Sequence, residues 1–191
     1  IGIRMVGAQA TFLDPHRIRA GGETLSAKKF IIAAGTIPLI PDIPGLAGIE
    51  FLTNETLYRL ETLPRSLVIL GGGVDGLEYA SAFGRLGVET TIVEMAERLL
   101  PTADGELVGR LLELLRADGI RLLAGTRAVK LADRQGRAVL TVERRGGAQE
   151  EIEAERVLVA VGRKPDLEGL ALEQAGVEFN ARGIVTDRRL R

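Results

Sequence analysis

Residues 67–94 read LVILGGGVDGLEYASAFGRLGVETTIVE, and the fold turns on how that stretch is parsed. Ser66 to Gly71 is a short continuous apolar run, the pattern of a strand buried on both faces. From Val74 to Leu86, the residues Leu77, Ala80, Phe83 and Gly84 recur at helical spacing, and Gly87 ends the helix. VETTIVE, residues 88–94, predicts a second strand. Between the first strand and the helix stand Gly71, Gly72, Gly73, Val74, Asp75 and Gly76, a G-x-G-x-x-G run in the context that makes it informative. Gly71 permits the tight turn, Gly73 lets backbone approach a pyrophosphate, and Gly76 lets the helix pack closely on the sheet. The helix N-terminus then offers N–H groups and partial positive charge to phosphates. The bland alternative is a structural turn with no ligand.

Two acidic residues flank this loop and one sits inside it. Glu94, 18 residues beyond Gly76, ends the second strand, where a carboxylate accepts both ribose hydroxyls of NAD and repels the 2′-phosphate of NADP. Its alternative role is solvation of a strand end. Asp75 is the departure from the pattern. At the second helical position it complements the helix dipole by roughly 0.3–1 kcal/mol. A unit charge about 6 Å from a pyrophosphate costs roughly 1–3 kcal/mol, so the expected net effect on a dinucleotide is a penalty. Alternatively Asp75 turns to solvent or pairs with Arg98. Glu78, three residues further on the same face, either approaches the nicotinamide end or is a helix-surface glutamate.

Working outward, residues 103–120 predict an amphipathic helix stopped by Gly119, and residues 120–125 a third strand. Strand, helix, strand, helix, strand within so short a stretch means a parallel sheet with right-handed crossovers. TRAVKLAD, RAVLTVERR and EEIEAE, split by turns at Gln135-Gly136 and Gly146-Gly147, read as an antiparallel meander, and RVLVAVG (156–162) as another buried strand. The predicted class is α/β: a Rossmann-like doubly wound parallel sheet with an antiparallel β-meander.

AKKFIIAAGTIP (27–38) and AERVLVAVGRKP (154–165) share one design, each following a stretch with a Gly-Gly turn. The second copy closes the unit opened at Leu67. The first closes a similar unit whose strand, glycine loop and helix would lie before Ile1. The expectation is therefore the tail of one dinucleotide-binding unit followed by most of a second.

The chain has 191 residues, 46% hydrophobic and 27% charged, with a net charge of -1. Near-neutral charge without long single-sign runs shows no footprint for nucleic acid or an anionic membrane. No apolar run reaches the roughly 18–20 residues that span a bilayer. The absence of cysteine excludes disulfides, thiolate metal sites and thiol catalysis by these residues. His16, following Asp14-Pro15, is expected in an exposed turn. No metal site is expected, and a cytoplasmic location is.

These stretches together resemble the pyridine nucleotide-disulfide oxidoreductases, with the dihydrolipoamide dehydrogenase and mercuric reductase branches nearest. The resemblance rests on FIIAAGTIPLIPDIPGL, LGGGVDGLEYASAFGRLG, TIVE and VLVAVGRKPDLEGLALEQAGVEFNARGIVTD, and covers essentially the whole chain. It implies that Ala34, Gly35 and Thr36 pass the FAD, with Ala34 and Thr36 replacing the usual Thr and Ser. It also implies that Gly71 to Gly76 hold the NAD pyrophosphate, that Glu78 lies near nicotinamide and flavin, and that Glu94 binds the ribose. Ala128 would stand beside the adenine and Gly162 would line the NAD cleft. Asp75 replaces an apolar Ile or Val of the family. The implied domains are a partial FAD-domain segment (1–63), an NAD-binding domain (64–182) and the start of a return to the FAD domain (183–191). The family's FAD fingerprint, C-x-x-x-x-C pair, closing FAD segment and His–Glu dimerisation domain are not in these residues. The implied parent is a homodimeric flavoenzyme passing hydride between NAD(H) and FAD, and this chain alone would bind without turnover. The competing expectation is a stand-alone nucleotide-binding or regulatory module.

Overall fold

The computed structural model describes residues 2–190, so Ile1 and Arg191, at the ends of two expected segments, lie outside the described residues. In chain order, β1 (Ala10–Asp14), β2 (Arg17–Ala20), β3 (Glu23–Ser26) and β4 (Thr36–Pro38) lead to β5 (Ser66–Leu70) and α1 (Val74–Arg85). Then come β6 (Glu89–Val93), α2 (Gly105–Ala117), β7 (Arg121–Leu123) and the strands β8 (Thr126–Arg134), β9 (Arg137–Arg144) and β10 (Gln149–Ala154). The course ends with β11 (Arg156–Val159), β12 (Arg163–Pro165), β13 (Phe179–Asn180) and β14 (Gly183–Ile184). The chain divides into two compact units, residues 1–37 with 163–191, and residues 38–162.

The larger unit is built on a four-stranded parallel sheet in the order β11-β5-β6-β7. Past their polar first residues, Ser66, Glu89, Arg121 and Arg156, its strands are mostly apolar because both faces are covered, with Thr90 and Thr91 of β6 buried among them. Side chains alternate by the two-residue period of a strand. Val68, Leu70, Val93, Leu123, Val157 and Val159 face one core, which they share with Leu131, Leu140, Val142 and Ile152 of the meander. Leu67, Ile69, Ile92 and Leu158 face the other, shared with Leu77, Ala80 and Phe83 of α1 and Leu115 of α2. The helices thus cover one face and the antiparallel sheet β10-β9-β8 covers the other. Each fully buried aliphatic side chain here stabilises the fold by about 1.5–3 kcal/mol.

The helices stop where the sequence predicts, within a few residues. Asp104 caps α2 by accepting from the amides of Glu106 and Leu107 at 3.0 and 3.1 Å, so the helix starts two residues later than its expected span. Gln135 and Gly136 both take positive φ, 57° and 79°, which matches the twist of the β8–β9 hairpin. A register shift between Ala128 and Lys130 leaves Val129 as an extra residue in β8.

Residues 38–63 belong to the larger unit. Leu46 is buried in the core beneath the meander, and Leu52 and Leu57 in the core beneath the helices. Leu52 exchanges backbone hydrogen bonds with Val157 and Val159 at 2.7 and 2.8 Å, closing the free edge of β11. The apolar residues of this loop join the nearest available sheet edge, which belongs to the larger unit.

In the smaller unit, β1, β2 and β3 form an antiparallel sheet, and β12 pairs with β4. Phe12 and Phe30 meet edge to face with ring centres 5.2 Å apart. Phe30 to Ala34 form no strand, although they match Val157 to Val161 in the repeated pattern. His16 lies exposed at the Asp14–Arg17 turn, its amide donating to the Asp14 carboxylate at 2.8 Å.

Candidate nucleotide-binding site

The glycine loop sits at the C-terminal end of β5, where the strand gives way to α1. Gly71 has φ of 110°, and a Cβ there would stand 2.3 Å from the Ala160 carbonyl oxygen, so only glycine fits. A Cβ on Gly76 would lie 2.0 Å from the Gly71 oxygen, which lets α1 start against the turn. Gly73 differs from both. It is extended, precedes the helix without a side-chain cap, and a Cβ there would meet nothing within 4 Å. Its open face and the first-turn amides of α1 are what an anionic group would meet.

Gly72 has a role that the motif does not reveal. Its amide donates to Oε2 of Glu94 at 2.6 Å, and its carbonyl accepts from Leu100 at 3.1 Å. A Cβ at Gly72 would lie 2.8 Å from the Leu99 side chain and 3.0 Å from that of Glu94. Glu94 is half-buried, and its Oε1 accepts from the Ala96 amide at 2.6 Å. Each carboxylate oxygen carries two lone pairs, so one remains on each for a ribose hydroxyl.

Two adjoining clefts, of about 480 and 290 Å³, open beside the loop and share Gly71, Glu94 and Val161 in their walls. The larger is completed by Met95, Arg127 and Ala128, and by Leu39, Pro41 and Ile43. The smaller is lined by Gly73, Val74, Asp75, Pro101 and Gly162. Asp75 and Glu94 are its charged residues, and no basic side chain lines it. Gly71, Gly73, Val74, Asp75, Glu94, Ala128 and Gly162 therefore gather around one groove at the carboxyl end of a parallel sheet, the place where such sheets bind ligands.

Other expected site residues stand elsewhere. Glu78 is exposed on α1 and lines neither cleft. Ala34, Gly35 and Thr36 belong to the smaller unit. There the Gly35 carbonyl accepts from Asp166 at 3.2 Å, and Arg163 donates to the Thr36 hydroxyl at 2.6 Å. Arg98 donates to the Ala103 carbonyl at 2.8 Å and makes no ion pair with Asp75. The loop residues Leu39, Pro41, Asp42 and Ile43, and Met95 directly after the acid, line the larger cleft without having been singled out in the sequence. Met95 was legible as the neighbour of the ribose acid. The loop was not, because nothing local fixes which edge a proline-rich segment will join.

Behind Asp75, Tyr79 is half-buried, and burial pushes its hydroxyl up to about 12. Its hydrogen bond with Tyr58 and the negative charges of Asp75 and Glu78 act in the same direction. Among the described residues no cluster of His, Cys, Asp or Glu could hold a metal ion, and no helix is long and apolar enough to cross a membrane.

Comparison with known proteins identifies the family. The family model for pyridine nucleotide-disulphide oxidoreductases matches residues 2–191. A mercuric reductase of Staphylococcus aureus is 34% identical over 96% of the chain, and a dihydrolipoyl dehydrogenase of Thermus scotoductus 38% identical over 96%. The HOCl-induced flavoprotein disulfide reductase of Escherichia coli superposes with a TM-score of 0.88 at 29% identity, covering 96% of this chain. The chain spans 34%, 40% and 42% of those three proteins respectively. Matched along nearly its whole length, the chain belongs to the pyridine nucleotide-disulphide oxidoreductase family.

Proposed function

We propose that residues 66–162 form the NAD(H) site of an FAD- and NAD-dependent oxidoreductase of the dihydrolipoamide dehydrogenase type. The observation that carries this reading is the hydrogen bond from Gly72 to Glu94, which makes the phosphate loop and the ribose acid one rigid device. The dinucleotide fits the residues present. Gly73 leaves its approach open, α1 supplies uncapped amides, and Glu94 keeps free lone pairs at the boundary of the two clefts.

In this reading Gly73 and the first turn of α1 hold the pyrophosphate, Glu94 orients the adenosine ribose, and Met95 and Ala128 flank the adenine. A flavin, when bound in the complete protein, would supply or accept the hydride. The residues described here bind and orient the nicotinamide cofactor, and no side chain in the groove acts as nucleophile or proton donor. For FAD, the chain offers Ala34, Gly35 and Thr36 without a second glycine loop among the described residues, so by itself it binds NAD(H) without turnover. The complete protein, in the same proposal, is a homodimer.

Calorimetric titration tests the reading. NADH should bind the chain at least about tenfold tighter than NADPH, since a 2′-phosphate facing the Glu94 carboxylate costs more than about 1.4 kcal/mol. Equal affinities, or no binding of either, would overturn it.

A further inference from the structure

Asp75 brings a charge to a place where its effect depends on which form of the cofactor is bound. The strand order β11-β5-β6-β7 sets the orientation of a dinucleotide on this sheet. The ribose acid Glu94 ends β6, so the adenosine half lies on that side of β5, in the larger cleft with Met95 and Ala128. The other half crosses β5 toward the end of β11, where Gly162 and Asp75 line the smaller cleft. Asp75 is exposed there, close to Gly73, and forms no ion pair among the described residues. Glu94, the other acid of this cleft, already accepts two backbone amides.

NAD⁺ and NADH share adenosine, both riboses and the pyrophosphate. They differ by one positive charge on the nicotinamide ring. Repulsion between Asp75 and the pyrophosphate is therefore common to both and cancels in their ratio, whereas attraction to the ring acts on the oxidised form alone. We infer that Asp75 is a redox-state selector, raising the affinity of the site for the oxidised, cationic nicotinamide relative to the reduced, neutral one. The inference rests on the nucleotide reading above. For an exposed carboxylate at effective dielectrics between a protein surface and water, the selection amounts to about three- to thirtyfold.

The test is calorimetric titration of the full 191-residue chain and its Asp75→Asn variant with three probes: ADP-ribose, NADH and NAD⁺. Asparagine keeps shape and removes charge. ADP-ribose carries the pyrophosphate but no nicotinamide. In the variant, ADP-ribose and NADH should tighten by the same factor, while the ratio Kd(NAD⁺)/Kd(NADH) rises about three- to thirtyfold. Asp75→Glu should keep the wild-type ratio, and added salt should raise that ratio toward the variant's value in the wild type only. An equal change for all three probes, or no change, overturns the inference and leaves the nucleotide site standing. Failure of the wild type to bind any of the three overturns the site itself, and the inference with it.

Discussion

The amide of Gly72 donates to Oε2 of Glu94 at 2.6 Å, tying the glycine loop to the end of the neighbouring strand. The second oxygen of the same carboxylate holds the Ala96 amide, also at 2.6 Å. Specificity and stability therefore meet in one side chain. Glu94→Ala should narrow the NADH/NADPH preference to within about threefold, because the 2′-phosphate no longer faces a carboxylate. It also leaves two amides without their acceptors, at about 1–3 kcal/mol, so the melting temperature should fall by about 2–12 °C. Unchanged melting would show that water replaces the carboxylate without loss, and an unchanged preference would remove Glu94 from ribose recognition.

Gly73 and Gly76 should separate binding from folding. A methyl group at Gly76 collides with the Gly71 carbonyl, whereas one at Gly73 meets no protein atom within 4 Å. Gly76→Ala should destabilise by about 1–3 kcal/mol or more, read from urea unfolding. Gly73→Ala should cost under about 1 kcal/mol, from the poorer helix cap, yet weaken NADH at least about tenfold by filling the open approach. Equal effects of the two substitutions on binding and stability would contradict this division.

Asp75→Ile restores an apolar side chain beside the loop. NADH should tighten about 5- to 100-fold as the repulsion disappears. Without ligand the helix loses about 0.3–1 kcal/mol of dipole stabilisation, so melting should drop by about 1–4 °C. Binding and stability moving in opposite directions distinguish repulsion from a change in packing. NADH affinity held within twofold would leave Asp75 as a helix-terminal acid only.

Tyr79 should make the fold sensitive to alkali. Burial, the hydrogen bond with Tyr58 and the charges of Asp75 and Glu78 push its hydroxyl up to about 12, above the ordinary tyrosine value near 10. Its raised folded-state pKa contributes stability that is fully present below the unfolded pKa and lost as pH rises through the folded one. Stability measured by urea unfolding should therefore decline between about pH 10 and 12, and Tyr79→Phe should flatten that decline. Parallel pH curves for the two proteins would refute the assignment.

Leu158 and Ile31 occupy matching places in the repeated apolar pattern, yet Leu158 is fully buried and Ile31 is 95% exposed. Local sequence was enough for the strand β5, the helix α1 and the turn at Gly71. Apolar period, glycine placement and helix-stop signals all act over a few neighbouring residues. The same local signals read identically in Phe30–Ile32 and Val157–Val159 and were followed by different outcomes. A strand is completed by its ladder partner, and Val157–Val159 has one in Val68–Leu70 whereas no strand pairs with Phe30–Ile32. Tertiary structure likewise placed both helices on one face of the sheet, laid Leu39, Pro41, Asp42 and Ile43 along the larger cleft, kept Glu78 out of both clefts and joined Gly72 to Glu94. Each of these depends on which distant segment offers an unpaired edge or an uncovered apolar face, and pairwise closeness across the chain is a property of the packed molecule, not of any short run of residues.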